Sequence, residues 1–247
     1  GLSKVQFQMK IIDAEGRASG ALLPQFHSVP SPEDVLSWAS TAGAYPTPPG
    51  SANAYARSFL EQIFPLEGKD EAADSYPLAA APFLGDVVTV AKPLVSYRIH
   101  GRNQGAVGAL DPARFAAEIA RAEARFQYGK SIADSVGISV PEAVLARSLT
   151  FLPYRLASLK LRPQSHPITG DSRAKILRDM VLACFVPQGV PAVSRAALVA
   201  WALSVALVPA PLGDQFVLWR FASAARPETL KRALRLLRVV KRHEAPQ

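Results

Sequence analysis

Apolar and polar residues alternate from almost the first position. Val5, Phe7 and Met9 are separated by Gln6 and Gln8, the period of two that marks a half-buried strand. This run meets Asp13-Ala14-Glu15-Gly16, a turn with an acidic start and a glycine able to take positive φ. A helix is predicted over about Pro32–Ser40: Ser31 suits the N-cap, Pro32 the first helical position, and Glu33 and Asp34 the first turn, where the helix dipole favours anions. The prolines of Tyr45–Ser51 cannot donate ladder hydrogen bonds, which makes that segment a loop. A short helix over about Arg57–Phe64 comes next, with Phe59, Leu60 and Ile63 at core spacing. Helical character over Asp70–Phe83 closes near Gly85. Val87–Val90 reads as a strand, Lys92-Pro93 as a turn, and Leu94–Ile99 as a second short strand.

Beyond residue 106 the pattern becomes helical. Asp111-Pro112 is a cap and first-turn pair, and Phe115, Ile119, Ala122 and Phe126 form one apolar stripe. Gly129 and Gly137 punctuate the chain after this stripe. Further helices are predicted over about Pro141–Leu149 and Arg173–Phe185, with a turn-rich connection at Arg162–Asp171 between them. From Met180 to Gly213 the only charge is Arg195. Ala196–Val208 would span about 20 Å as a helix, short of the ~30 Å hydrocarbon core, so a buried core helix is the first expectation and an interfacial or re-entrant segment the second. Pro227–Arg242 is an amphipathic basic helix: Leu230, Leu234 and Leu237 share a face, and Lys231, Arg235, Arg238 and Arg242 line the other. Such a helix suits an anionic membrane surface; a solvated helix resting on the body is the plainer alternative.

Composition narrows the classes. The 247 residues are 49% hydrophobic and 19% charged, enough for a sizeable core in one large domain or two small ones. Cys184 is the single cysteine, which excludes an internal disulfide and a cysteine-based zinc site. The net charge is +8, of which residues 220–247 carry +6. The near-neutral body argues against a broad nucleic-acid face, and the tail helix lacks aromatics to stack on bases. The N-terminus shows no signal-peptide pattern and begins inside a strand, as the later part of a longer protein would. His27, His166 and His243 have no metal-ligand spacing and read as loop or surface residues; Trp38 reads as core.

One constellation carries chemistry. Asp74 lies early in a predicted helix, and Arg98, His100 and Arg102 come two short strands later. A carboxylate there can act as a base, an imidazole as a metal ligand or acid, and guanidiniums as phosphate clamps. The plainer alternative is that Asp74 caps a helix and His100 ends a strand. No glycine-rich or Walker-type nucleotide loop is present.

Glu71-Ala72-Ala73-Asp74-Ser75-Tyr76, Leu84-Gly85-Asp86-Val87-Val88 and the close Pro93-Leu94-Val95-Ser96-Tyr97-Arg98-Ile99-His100-Gly101-Arg102-Asn103 together resemble the C-terminal half of the catalytic domain of family 2 glycosyltransferases. Val5–Gly20 is similar to the stretch after that family's metal-binding acidic motif, and Thr47–Arg57 to its acceptor-side segment. The resemblance covers residues 1–106. It implies an α/β fold class: a partial GT-A type mixed-sheet catalytic half, followed by a mostly α-helical extension (107–185) and apolar and basic C-terminal helices (186–247). It implies an inverting transferase with Asp74 as the base that deprotonates the acceptor hydroxyl. His100 would ligate the divalent metal, manganese or magnesium, while Arg98 and Asn103 would hold the donor diphosphate. Two features depart from the family. Ala73 stands where an acidic residue usually precedes the aspartate. The nucleotide-binding half with its Asp-x-Asp motif is not in this sequence, and Asp13-Ala14-Glu15 reads as a turn. The Gln-x-x-Arg-Trp motif of processive synthases is also missing, since Gln215–Arg220 reads Gln-Phe-Val-Leu-Trp-Arg.

The expectation is therefore a glycosyltransferase whose intact polypeptide moves a sugar from a nucleotide-diphosphate donor to a cell-envelope or lipid-linked glycan. This chain alone would be inactive for want of the donor half. It would be cytoplasmic and peripheral on the inner membrane face, with an anionic membrane surface as a candidate partner and no nucleic acid. The alternative is a non-catalytic membrane-peripheral or protein-binding helical module carrying remnant transferase motifs.

Overall fold

The computed structural model describes residues 1–66, 74–100, 111–222 and 225–236. The chain is mixed α/β, with one small sheet and a larger helical part. Strand β1 (Leu2–Ile12) is the centre of the sheet. Its N-terminal half pairs antiparallel with β3 (Asn53–Tyr55), Lys4 opposite Tyr55 and Gln6 opposite Asn53, and its C-terminal half with β2 (Ala18–Leu23), Met9 opposite Leu23. Strand β4 (Asp86–Arg98) runs parallel to β1 along its whole length, from Leu2 opposite Asp86 to Ile12 opposite Arg98. The two short strands expected around Lys92-Pro93 are thus one. The register slips between Phe7, which faces Val90, and Gln8, which faces Pro93, so the proline sits in a bulge. A proline is tolerated there because β4 pairs only with β1 among the described strands, leaving its other side without ladder bonds to lose.

Three helices cover the sheet. In α1 (Pro32–Ala42), Ser31 Oγ accepts from Asp34 N at 3.1 Å and Asp34 Oδ2 accepts from Ser31 N at 3.0 Å, the reciprocal capping box that satisfies two orphan donors. It ends at Gly43, φ +65°, where a Cβ would run into Val144. Helices α2 (Arg57–Ile63) and α3 (Ser75–Leu84) come next, and Val35, Phe59, Ile63, Ala80 and Val87 form the sheet-side core. Residues 67–73, which include the start of the expected acidic helix, lie outside the described residues.

Helix α4 (Pro112–Ser135) starts at Asp111, whose carboxylate accepts from Ala113 N at 3.0 Å, and buries Phe115, Ile119 and Phe126 as the stripe predicts. Gly129 does not interrupt it; a Cβ there would meet Ala79 O at 3.1 Å, so the glycine lets α3 and α4 approach closely. The helix joins two cores, with Phe115 in the helical cluster and Tyr128 and Ile132 against the sheet-side one. The expected helix at Pro141–Leu149 is a 3-10 segment over Glu142–Arg147. Helices α5 (Leu152–Leu161), α6 (Arg173–Ala183), α7 (Ala192–Leu207) and α8 (Leu212–Phe221) then build the helical core around Leu152, Leu156, Ile176, Met180, Val205 and Val217.

The apolar helix α7 is a core helix on one side only. Ala202, Val205 and Ala206 are buried, whereas Val193, Leu203 and Leu207 face outward. Among the described residues, no helix is long and apolar enough to cross a membrane. Helix α9 (Glu228–Leu236) begins the expected basic helix; Arg238, Arg242 and the side chain of Arg235 lie outside what is described. Trp38 is buried and His27 is exposed, as expected; His166 lies in the 162–171 connection, a loop residue as expected, with its side chain only 3% exposed, and His243 lies outside the described residues.

Candidate functional site

A half-buried strand should hide its apolar face. In β1 the polar face is the deeper one: Lys4 and Gln6 are fully buried and Gln8 nearly so, while Val5 and Phe7 are half-buried. The proline loop lies over the polar face at Lys4 and Gln6, because both side chains reach loop atoms. Lys4 Nζ donates at 3.0 Å to Gln6 Oε1, Tyr45 Oη and Thr47 Oγ1. Gln6 Nε2 donates to Pro46 O at 3.1 Å and Thr89 Oγ1 at 2.9 Å. Tyr45 Oη donates its own proton to Leu78 O at 2.7 Å, tying the loop to α3. No carboxylate is among the hydrogen-bond partners of Lys4 Nζ, and burial brings its pKa down to about 7. Three donated bonds use all three protons of the ammonium; when it loses one, the amine nitrogen can instead accept from Thr47 Oγ1, so both forms fit these uncharged partners.

Asp74 is the N-cap residue of α3 and exposed; it holds the position of the plainer reading, but its side chain makes no capping hydrogen bond. Its Oδ2 lies against Gly50, where any Cβ would overlap it. Close by, Tyr55 Oη and Asn53 Oδ1 are buried with no hydrogen-bond partner among the described residues. Burial, and then the charge of Asp74, pushes the Tyr55 phenol up. Asn53 is fixed by its amide, which donates to Pro49 O at 2.9 Å. Ser75, the next residue after Asp74, and Thr47 line a cavity of about 480 Å³ that extends to Glu118 and Arg125 on α4 and Tyr154 on α5.

Arg98 and His100 are elsewhere. Tyr55 and Asn53, beside Asp74, pair with positions 4 and 6 of β1, whereas Arg98 pairs with Ile12. Six strand residues amount to about 20 Å. At that far end Arg98 Nη1 donates to Ala14 O at 2.6 Å and supports the turn after β1. The structure therefore does not bring Asp74, Arg98 and His100 into one cleft. Asn103 lies outside the described residues. Among the described residues no group of three His, Cys, Asp or Glu side chains is placed to hold a metal ion. The carboxylates of Asp13 and Glu15 are engaged by Arg17, at 2.7 and 2.9 Å, in the turn the sequence predicts. The described side chains do not fit the divalent metal that the resemblance implies.

A second polar cluster sits in the helical part. Arg155 on α5 grips Asp171 with Nε to Oδ2 at 2.9 Å and Nη2 to Oδ1. His166 Nε2 lies 3.1 Å from Asp171 Oδ2, and its Nδ1 lies 3.0 Å from Ser158 Oγ. Burial alone would raise the Asp171 carboxyl, but hydrogen bonds from Arg155 and His166 outweigh it and hold it below the usual range. Ser158, His166 and Asp171 are in hydrogen-bond line, yet Ser158 is buried, so no substrate reaches its hydroxyl. The cluster pins the 162–171 connection onto α5.

No protein-family model matches the chain, and no curated protein or solved structure shows significant similarity to it. The residues that sequence reasoning missed are Lys4, Gln6, Tyr45 and Thr47. Their signal was available in Lys4-x-Gln6-x-Gln8, a polar alternation as regular as the apolar one, and in a nearby loop rich in hydroxyls and in carbonyls freed by proline.

Proposed function

We propose that this chain is the acceptor-side part of an inverting, nucleotide-sugar-dependent glycosyltransferase that acts on a hydroxyl of a cell-envelope or lipid-linked glycan. The observation that supports it is the setting of Asp74: an exposed carboxylate at a helix start without a capping bond, close to two buried polar atoms with no partner among the described residues, and adjoining Ser75, which lines a cavity. In this reading the acceptor oxygen bonds to the anomeric carbon from the side opposite the leaving group. The bond from that carbon to the diphosphate oxygen breaks, the nucleoside diphosphate leaves with the electron pair, and the acceptor proton passes to Asp74. A positioned carboxylate contributes on the order of 10²–10⁴ in rate to such a step. The roles of Arg98 and His100 do not enter, because a base and the groups that hold the leaving diphosphate must flank one carbon. No step is routed through a metal.

The test is sugar-nucleotide turnover by the protein as encoded. Asp74→Asn should lower it about 100-fold or more with the melting temperature unchanged; an equal rate removes Asp74 from the mechanism. The distance between Asp74 and Arg98 favours a second reading, a non-catalytic helical module with remnant motifs. It predicts no turnover of any sugar nucleotide by the wild-type protein.

A further inference from the structure

The accessible side of the helical part is apolar over an unusual length. On α7 the outward positions are Val193, Ala196, Ala200, Leu203 and Leu207, spaced three and four apart along the whole helix. Leu207 is 73% exposed, and Leu212, at the start of α8, is 62% exposed. The last turns of α6 add Val181, Leu182 and Phe185, the phenylalanine being 80% exposed. Arg195 ties these pieces together. Its Nε donates to Val190 O at 2.6 Å and its Nη1 to Cys184 O, which turns the only charge between Met180 and Gly213 inward and holds the Phe185 turn beside the first turn of α7. Single exposed apolar side chains need no explanation, but a continuous set on adjoining helices does.

We infer that this face lies in the surface layer of an anionic lipid bilayer, with Phe185, Leu203, Leu207 and Leu212 in the acyl boundary. Two observations select lipid over a second copy of the chain. The positions beside the α7 stripe, among them Ala192, Ala197, Val199 and Ser204, carry no charge, whereas a helix seam that assembles in water is flanked by ion-pairing residues. The charges that adjoin the face complement anionic headgroups. Arg178, paired through Nη2 with Asp179 at 3.1 Å, falls on the same side of α6 as Val181, Leu182 and Phe185 and keeps its side chain 68% exposed; Lys175, which reaches Asp171 at 3.4 Å, lies one turn earlier, and no acidic residue occurs from Val181 to Gly213. The helix is too short to span and suited to lie in the plane. The inference is independent of the transferase reading, since lipid binding needs no sugar nucleotide.

The experiment is flotation of the full chain with phosphatidylcholine vesicles, with and without phosphatidylglycerol. Wild type should float with the anionic vesicles and release as salt is raised. The double variant Phe185→Ser, Leu207→Ser should bind about tenfold more weakly or worse, with its thermal unfolding unchanged because both side chains are exposed. Arg178→Gln should weaken binding to anionic vesicles only. The inference is overturned if wild type stays at the bottom of the gradient, or if the double variant floats like wild type. It is equally overturned if Lys231→Gln, Arg232→Gln alone abolishes binding, which would assign it to α9, or if wild type is a dimer that the double variant converts to monomer.

Discussion

Lys4 in the sheet-bearing part and Arg155 in the helical part are both buried cations, and they are stabilised in opposite ways. Arg155 has a carboxylate in front of it: Asp171 accepts two hydrogen bonds from its fork, His166 and Lys175 bind the same carboxylate, and Asp179 lies 3.8 Å away. Lys4 has only an amide oxygen and two hydroxyls. A guanidinium cannot shed its proton in a protein interior, so it must be matched by charge, whereas an ammonium can become neutral instead. The first arrangement fixes a loop at any ordinary pH. The second leaves a titratable amine under the loop that borders the cavity lined by Thr47 and Ser75, so the two halves of the molecule should respond differently to pH and to substitution.

The sharpest break of this contrast is Asp171→Asn. It takes from Arg155 the carboxylate it is hydrogen-bonded to, leaving only Asp179 at 3.8 Å, and should cost about 3 kcal/mol, read as a fall in the urea midpoint. For the wild type, the Asp171 carboxyl lies below its unfolded value, so its contribution is complete above about pH 4 and fades as the solution is acidified further. Lys4 acts at the other end of the scale. Its folded pKa of about 7 lies below the ordinary lysine value of 10.5, so between them the unfolded chain binds more protons and stability rises with pH. The gain should be about 3 kcal/mol from pH 7 to about pH 9.5. Above that range burial of Tyr45 and Tyr55, which raises both phenols in the folded state, turns the gain into a loss as tyrosines ionise. Lys4→Met should flatten the rise; an unchanged pH profile in the variant would show that Lys4 is not its source. Arg155→Lys keeps the charge but loses the two-pronged grip, for about 2 kcal/mol. The smallest effect belongs to Tyr55→Phe, which deletes a hydroxyl that has no hydrogen-bond partner and should change stability by less than about 0.5 kcal/mol.

Local chemistry was legible in the sequence. The caps at Ser31 and Asp111 and the turn at Asp13 involve residues two to four apart, and each forms as read. The expected helix at Arg173 also forms, from a cap at Ser172. What failed to show was burial on all sides. Helix α5 buries Leu152, Arg155, Leu156, Ala157, Ser158 and Lys160, so it has no polar stripe to betray a period of 3.6. Its partner His166 looked like a loop histidine because the contacts that bury it come from Asp171 and Ser158, through folding of the connection. For the candidate site, Asp74 is exposed at the start of α3 next to Ser75, which lines a cavity, but the register of β4 against β1, which no local pattern encodes, carries Arg98 to the other end of the sheet.

The junction between the two cores has a consequence for recombining this chain with others. Gln188 accepts from Leu149 N and donates to Arg147 O and Ala183 O, while Gly189, φ +68°, sits so close under Trp38 and Pro46 that a Cβ would overlap both. The sheet-bearing unit and the helical unit therefore share one clasp made from distant parts of the chain. A chimera spliced near residue 106 that swaps either unit would inherit half a clasp, and only grafts that carry α1 together with the 186–191 turn keep the joint closed.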